Sequence, residues 1–282
     1  MTRKAPAFEL DPRLAPARAV RRAAAAQFDH ALAALTRGDA GAAHETRKVC
    51  KKLRSLLRLI RPLLGRGYLA ENARLRDTGR ALSRGREALV LVETADRLFG
   101  ADAGLEPLAR CIREWPRPET AVPFQDARQL LETGRQNAGG WPLRRLSAGN
   151  LMIGLLAGYR RARRAYQQAR RSPTPLALHE WRKQAKYHGY QAALLSRLWP
   201  DARTRINRLK KLSDLLGEHH DLHVLAMQLR RRKADVGCPE RLPEARKRIR
   251  DAQAECTREA LALGKLLFST GPLAWLEAPV AP

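Results

Sequence analysis

Residues 44–61 read HETRKVCKKLRSLLRLIR, and this stretch decides the fold of the chain. Read as a helix, its positively charged residues recur every three or four positions, so they lie along one side. That side consists of His44, Arg47, Lys51, Arg54, Arg58 and Arg61, and Lys48 and Lys52 widen it. The opposite side carries Val49, Leu53, Leu56, Ile60 and Leu63. The pattern predicts an amphipathic helix whose basic side, called here the first basic face, points away from a core.

The like charges of the first basic face are unfavourable for folding by themselves. Cations spaced three or four residues apart on a helix destabilise it by about 0.2–0.5 kcal/mol per pair, and Glu45 is the one acid in the stretch. A bound polyanion would neutralise such a row of cations. A solvated helix face is the alternative interpretation.

The composition of the whole chain also indicates an anionic partner. The 282 residues include 54 Lys and Arg against 28 Asp and Glu, which gives a net charge of +26. Such an excess is typical of proteins that bind nucleic acid, a membrane surface or a phosphate polymer. Aromatic residues make up 5% of the chain, which disfavours a protein that stacks single-stranded bases.

Cellular location and cysteine chemistry are also indicated by the sequence. The charged, proline-interrupted start of the chain has no signal-peptide pattern, and the longest apolar run, near Leu151–Tyr159, is too short to span a bilayer. We therefore expect a cytoplasmic protein without a membrane partner. The four cysteines form no CxxC pair, so each is expected to pack as a small hydrophobic residue.

Helical patterns run through almost the entire chain. Asp39 is a plausible N-cap for the helix that carries the first basic face, Gly217 is a possible break in a later helix, and strand signals are nearly absent. The strongest interruption is Ala138–Pro142. The sequence predicts an all-α fold of two four-helix-type antiparallel bundles, residues 1–140 and 141–282, that together form one domain.

The second half of the chain repeats the pattern of the first half. HEWRKQAK at residues 179–186 matches HETRKVCK at residues 44–51, and Arg208-Leu209-Lys210 matches Arg74-Leu75-Arg76. Residues 216–225 likewise align with residues 82–91. This predicts an internal repeat with approximate two-fold symmetry. The two basic helices would then line one central groove or pore. The second basic face consists of His179, Arg182, Lys183, Lys186 and Tyr190.

The repeated H-x-x-R/K-x-x-K/R face, followed by L-G-x-x-x-D-x-x-V at residues 216–224, resembles the CHAD family, the conserved histidine α-helical domain. The resemblance covers nearly the whole chain. It implies two four-helix bundles around a basic cavity, binding of inorganic polyphosphate and location at polyphosphate granules. Gly189, Ala193 and Glu87 depart from the family's usual residues. No ExExK strand of a fused triphosphatase is present in the sequence.

The expected polyphosphate-binding residues come from both basic faces and from the matched segments that follow them. They are His44, Arg47, Lys48, Lys51, Lys52, Arg54, Arg58, Arg76, His179, Arg182, Lys183, Lys186, Tyr190, Arg208 and Lys210. Phosphate or sulfate would be expected at the same site. No cofactor, metal or catalytic residue is expected, because neither a nucleophile–base pair nor a glycine-rich phosphate loop is visible.

Three alternatives remain open at this point. A nucleic-acid-binding helical protein would explain the charge, although no nucleic-acid-reading motif is present. His220-Asp221, flanked by His219 and His223, suggests a metal-dependent phosphohydrolase, but Asp221 is more simply expected to orient a cation. A second basic cluster, Arg160, Arg161, Arg163 and Arg164, lies either between helices or in solvent.

Overall fold

The computed structural model describes residues 6–83, 86–115, 124–198 and 202–277, and these residues form helices and connecting turns without any strand. The α-helices are α1 Pro16–Arg37, α2 Ala40–Leu59, α3 Arg61–Leu64, α4 Gly67–Ala81, α5 Arg86–Phe99, α6 Glu106–Glu114, α7 Phe124–Gly139, α8 Ala148–Arg171, α9 Pro175–Leu194, α10 Ala202–Arg231, α11 Leu242–Phe268 and α12 Pro272–Glu277. The all-α prediction is confirmed. The side chain of Glu87 lies outside the described part of the chain.

The boundaries of α2 follow from local chemistry. Gly38 adopts a left-handed conformation, with a φ of 65°, and ends α1. The Asp39 carboxylate then accepts a hydrogen bond from the Ala42 backbone N–H at 2.7 Å, so the predicted N-cap is confirmed. The helix ends at Leu59, and Pro62 lies in the first turn of the short helix α3. The apolar side predicted for α2 is buried from Val49 to Ile60, and Leu63 is half-buried.

The helices pack as two sets of four. In the first set α1 contacts α2 and α7, while α4 contacts α2 and α7. In the second set α9 contacts α8 and α10, while α11 contacts α10 and α8. The helix α2 also packs against α8 and α9, and residues of both sets share one large core. The internal repeat and its two-fold axis stay predictions.

A second core links the two halves of the chain. The helices α5 and α6 pack together, and α5 also packs against α10 and α11. Buried Phe99 of α5 and Leu108 of α6 belong to the same cluster as Leu225 of α10 and Ile249 of α11. The apolar sides of two helices from the first half of the sequence are therefore buried against the ends of two helices from the second half.

The possible break at Gly217 does not occur, because α10 runs without interruption from Ala202 to Arg231. Glycine in a helix costs roughly 1 kcal/mol relative to alanine, an amount that tertiary packing routinely overrides. Gly217 is buried, and the guanidinium of Arg182 approaches to 3.3 Å of the position that a Cβ atom would occupy. The glycine therefore makes room for a side chain of the second basic face.

The contact between α2 and α8 brings two backbones together. A Cβ atom placed on Gly154 of α8 would lie 2.2 Å from the carbonyl oxygen of Leu59 in α2. Only glycine permits an approach this close. The contact fixes the end of the first basic face beside α8.

We expect Gly154→Ala to lower the free energy of unfolding by about 1–3 kcal/mol, because the methyl group would force two backbones apart. Gly149→Ala is the matched control in the same helix, since its nearest neighbour, Ser147 Oγ, lies 3.6 Å from the added carbon. This control should leave stability unchanged or raise it by up to about 1 kcal/mol. Urea denaturation measures both effects, and equal effects would contradict the close contact.

Candidate polyanion-binding surface

The helices that carry the two basic faces are in direct contact. The hydroxyl of Ser55 in α2 donates to the carbonyl oxygen of Tyr187 in α9 at 3.0 Å. In return, Nε2 of Gln191 donates to the carbonyl oxygen of Ser55 at 3.3 Å. Ser55 and Gln191 are fully buried. Small and polar side chains thus allow α2 and α9 to approach, while the long cations extend to either side of the contact.

The two motif histidines lie away from this contact. His44 stands about three helical turns before Ser55, and His179 about two turns before Tyr187. His44 is exposed and His179 is half-buried. The contact therefore joins the C-terminal parts of the two basic faces.

Tyr187 connects the basic faces and was not among the residues expected from the sequence. The guanidinium carbon of Arg58 lies 4.1 Å from the centroid of its ring, and that of Arg54 lies 5.6 Å away. Such contacts between a cation and the face of an aromatic ring are attractive. Tyr187 follows Lys183 by four residues, so it lies on the same stripe of α9. That spacing was the available signal, but the tyrosine predicted for this face was Tyr190.

Neutral partners orient the cations of the first basic face. Nε of Arg54 donates to Oδ1 of Asn72 in α4 at 3.1 Å. The Lys52 ammonium donates to Oε1 of Gln27 at 3.2 Å and lies 5.5 Å from the centroid of the Phe8 ring. Burial and the neighbouring positive charge of Lys48 lower the pKa of Lys52. These neutral partners thus hold Lys52 and Arg54 in position and do not neutralise their charge.

The acid of the first motif faces a different helix. Glu45 binds Nε2 of His30 at 2.9 Å and also pairs with Arg37, both from α1. Among the residues that the structure describes, no carboxylate oxygen lies within 4.0 Å of a side-chain nitrogen of Lys52, Arg54 or Arg58. The charge of these three half-buried cations is therefore not compensated by a carboxylate of the described chain.

The N-terminal half of the second basic face lies against α10. The rings of His179 and His220 have their centroids 4.5 Å apart. Burial, then the charges of Arg182 and Lys183, lower the pKa of His179. Burial, then the charges of His179 and Arg182, lower the pKa of His220 to about 4. His220 is accordingly neutral near pH 7.

Asp221 lies where its charge acts on Arg182. Burial lowers the pKa of Arg182, and the negative charges of Asp221 and Asp214 oppose that effect. This arrangement favours the expectation that Asp221 orients a cation. Within the described part of the chain, no group of three or more His, Cys, Asp or Glu side chains is arranged to hold a metal ion.

The remaining residues expected at the site occupy several places. Lys183 pairs with Glu180 at 2.6 Å, and Arg76 pairs with Asp77 at 2.8 Å. Tyr190 packs edge-on to Phe8, and burial, together with the charge of Asp214, raises its pKa to about 12. Lys48 is exposed. The half-buried residues of this group are Arg47, Lys51, Lys186 and Arg208. Lys210 lines a shallow groove along α10 with Lys211 and Asp214. It stays a prediction that one concave surface is lined by Arg47, Lys51, Arg54, Arg182, Lys183 and Lys186.

The second basic cluster divides between two environments. Arg163 donates to the carbonyl oxygens of Phe268 at 3.1 Å and Ser269 at 3.5 Å. Arg161 is half-buried, whereas Arg160 and Arg164 are exposed. Part of the cluster therefore lies between helices and part lies in solvent.

Comparison with known proteins identifies the family. A sequence model described as CHAD domain matches residues 19–230, so the chain belongs to the CHAD domain family. Its fold is similar to that of the CHAD domain from the plant Ricinus communis, whose crystal structure superposes with a TM-score of 0.64. That match has 20% sequence identity and covers 93% of this chain and 96% of the plant chain. No curated protein matches the sequence.

Of the helices in the described ranges, none combines the length and the apolar character needed to cross a bilayer.

We expect Arg182→Gln to raise the pKa values of His220 and His179, because the positive charge of Arg182 disfavours a second positive charge on either ring. Titration of the ring nitrogens by NMR measures both values. Arg135→Gln is the control, since Arg135 of α7 pairs with Asp29 of α1 at 2.8 Å. An unchanged His220 pKa in Arg182→Gln would contradict the described electrostatics.

Proposed function

We propose that this protein binds inorganic polyphosphate along the basic faces of α2 and α9. The observation that carries the proposal is the first basic face, where Lys52, Arg54 and Arg58 are oriented by neutral groups and lack a described carboxylate partner. A protein that used these cations only for folding would be expected to pair them with acids. Glu45, the nearest candidate in sequence, binds α1 instead.

Polyphosphate matches the chemistry of such a face. It carries about one negative charge per phosphorus and offers no base edges for sequence-specific contacts. A helix rises about 1.5 Å per residue, so cations three or four residues apart are spaced by roughly 5 Å along it. Arginine offers forked N–H donors to phosphate oxygens, and lysine acts as a point charge. The resemblance to the CHAD family implies the same ligand.

The second basic face would extend the footprint. Arg182, Lys186 and His179 supply donors on α9, and His220 supplies one on α10. The contact of α2 with α9 makes the two faces neighbours. We propose binding without turnover, in the cytoplasm and at polyphosphate granules. Phosphate or sulfate would occupy parts of the same surface.

We expect labelled long-chain polyphosphate to resist displacement by duplex DNA, tRNA or ATP at equal charge concentration and fixed moderate salt. The affinity should fall steeply as salt rises, because polyanion binding releases counterions. Competition measured by fluorescence anisotropy tests both expectations. Equal competition by duplex DNA would instead indicate a nucleic-acid-binding protein.

We also expect no hydrolysis of polyphosphate. Incubation of the protein with polyphosphate and Mg²⁺ or Mn²⁺ should release no phosphate. Phosphate release that the His220→Ala substitution abolishes would indicate a hydrolase.

A matched pair of charge reversals separates a site from diffuse charge in the same assay. Lys48 on α2 and Lys247 on α11 are both exposed, and neither has a carboxylate within 4.0 Å among the described residues. Lys48→Glu should weaken polyphosphate binding by about tenfold or more, and Lys247→Glu by much less. Equal losses would refute a localised site.

Polyphosphate binding should take up protons. Burial and neighbouring cations hold the pKa values of His179 and His220 below the ordinary histidine value in the free protein. A polyanion beside them would raise both values, so affinity should increase as the pH falls through these raised values and should level off below the free-protein values, about 4 for His220. Calorimetry in buffers of different ionisation enthalpy counts the protons. Proton release, or an uptake that persists fully in a His179→Gln/His220→Gln variant, would contradict the proposal.

A further inference from the structure

We infer that Arg58, Arg61, Arg161 and Arg164 form a distinct phosphoryl-binding subsite between the end of α2, the start of α3 and the middle of α8. The ligand class is an inorganic oligophosphate. The inference rests on the proposed function, since it extends the polyphosphate-binding surface from α2 and α9 onto α8. Arg61, Arg161 and Arg164 are not among the binding residues expected from the sequence.

The backbone contact between α2 and α8 brings the arginines together. Gly154 touches Leu59, and Arg161 follows Gly154 by seven residues, which places both on one side of α8. Arg58 precedes Leu59 in α2, and Arg61 opens α3 directly after it. Arg164 lies one turn beyond Arg161. Two helices and the turn after α2 thus contribute to one cluster.

Aromatic rings fix two of the four guanidinium groups. The Arg58 guanidinium carbon lies 4.1 Å from the Tyr187 ring centroid, and that of Arg61 lies 4.8 Å from the centroid of Tyr68. A guanidinium stacked on a ring keeps its N–H donors at its edge, where they can bind a planar or tetrahedral oxyanion through two hydrogen bonds. Nε of Arg58 is buried and donates to no acceptor in the described part of the chain. The stacked ring, and not a hydrogen bond from Nε, therefore holds the Arg58 guanidinium in place.

The charge of the cluster is not compensated by the described chain. None of the four arginines has a carboxylate oxygen within 4.0 Å among the described residues. Burial and the positive charges of Arg58, Arg61 and Arg164 lower the pKa of Arg161. Arg163 of the same helix differs, because it donates to two backbone carbonyl oxygens. The cluster has the properties of an anion site, whereas Arg163 has those of a structural residue.

The first experiment measures tripolyphosphate binding by calorimetry at low salt. Arg161→Gln and Arg164→Gln should each weaken binding by about tenfold, the loss expected from a charge-assisted hydrogen bond. Arg160→Gln is the matched control, because Arg160 is an exposed arginine on the same helix outside the cluster. It should change the affinity by less than about twofold. Equal losses in Arg160→Gln and Arg161→Gln, or no binding by the unmodified protein, would overturn the subsite.

A second pair of variants tests the role of the stacked ring. Tyr187→Phe keeps the ring under Arg58 and should bind tripolyphosphate like the unmodified protein. Tyr187→Leu removes the ring and should bind several-fold more weakly. Identical affinities for the Phe and Leu variants would show that stacking does not position Arg58, and would overturn this part of the inference.

Thermal stability distinguishes a binding role from a structural role. Removal of an uncompensated positive charge should leave the Tm of the ligand-free Arg161→Gln variant unchanged or higher, while its affinity falls. A lower Tm would mark Arg161 as a structural residue and overturn its assignment to the subsite.

The choice of ligand separates the subsite from the proposed function. If the unmodified protein binds tripolyphosphate but not long polyphosphate, the proposed function fails and the subsite remains.

Discussion

The close approach of α2 to α8 and α9 is the constraint on which the rest of the structure depends. Ser55 hydrogen-bonds with the backbone and side chain of α9, and Gly154 allows the Leu59 carbonyl to touch α8. A helix packed this closely on two sides cannot bury long cationic side chains within the contact. They extend to its edges, where tyrosine rings and amide oxygens hold them. The packing that stabilises the fold therefore also determines where positive charge accumulates.

The chain neutralises its charges selectively. Arg37, Arg76 and Lys183 have carboxylate partners close by in sequence, as expected for residues on a solvated helix surface. Lys52 is held instead by the side-chain amide of Gln27, and Arg54 by that of Asn72. Arg58 is held by the ring of Tyr187. An amide or a ring restricts a side chain without cancelling its charge. A ligand that supplies the missing negative charge gains both electrostatic attraction and a preorganised set of donors.

The features that could be predicted from the sequence are those encoded by spacing along one helix. The basic and apolar sides of α2 and the Asp39 cap follow from local periodicity and chemistry, and the structure contains them. The role of Tyr187 and the assembly of Arg161 with Arg58 arise from contacts between helices far apart in the sequence. Periodicity shows on which side of its own helix such a residue lies, but it does not show which other helix packs against that side. The same reason explains Gly217, whose weak helix propensity is offset by the packing of Arg182.

The uninterrupted course of α10 has a consequence for how the molecule folds. Its first half contributes Leu209 and Leu216 to the large core, and its second half contributes Leu222 and Leu229 to the core formed with α5 and α6. One continuous helix, α10, thus belongs to both hydrophobic clusters. Neither half of the sequence contains all the surfaces needed to bury its own apolar residues. The two halves are consequently expected to be mutually dependent, so that the chain folds and unfolds as one cooperative unit and separate expression of either half would leave apolar surface exposed to aggregation.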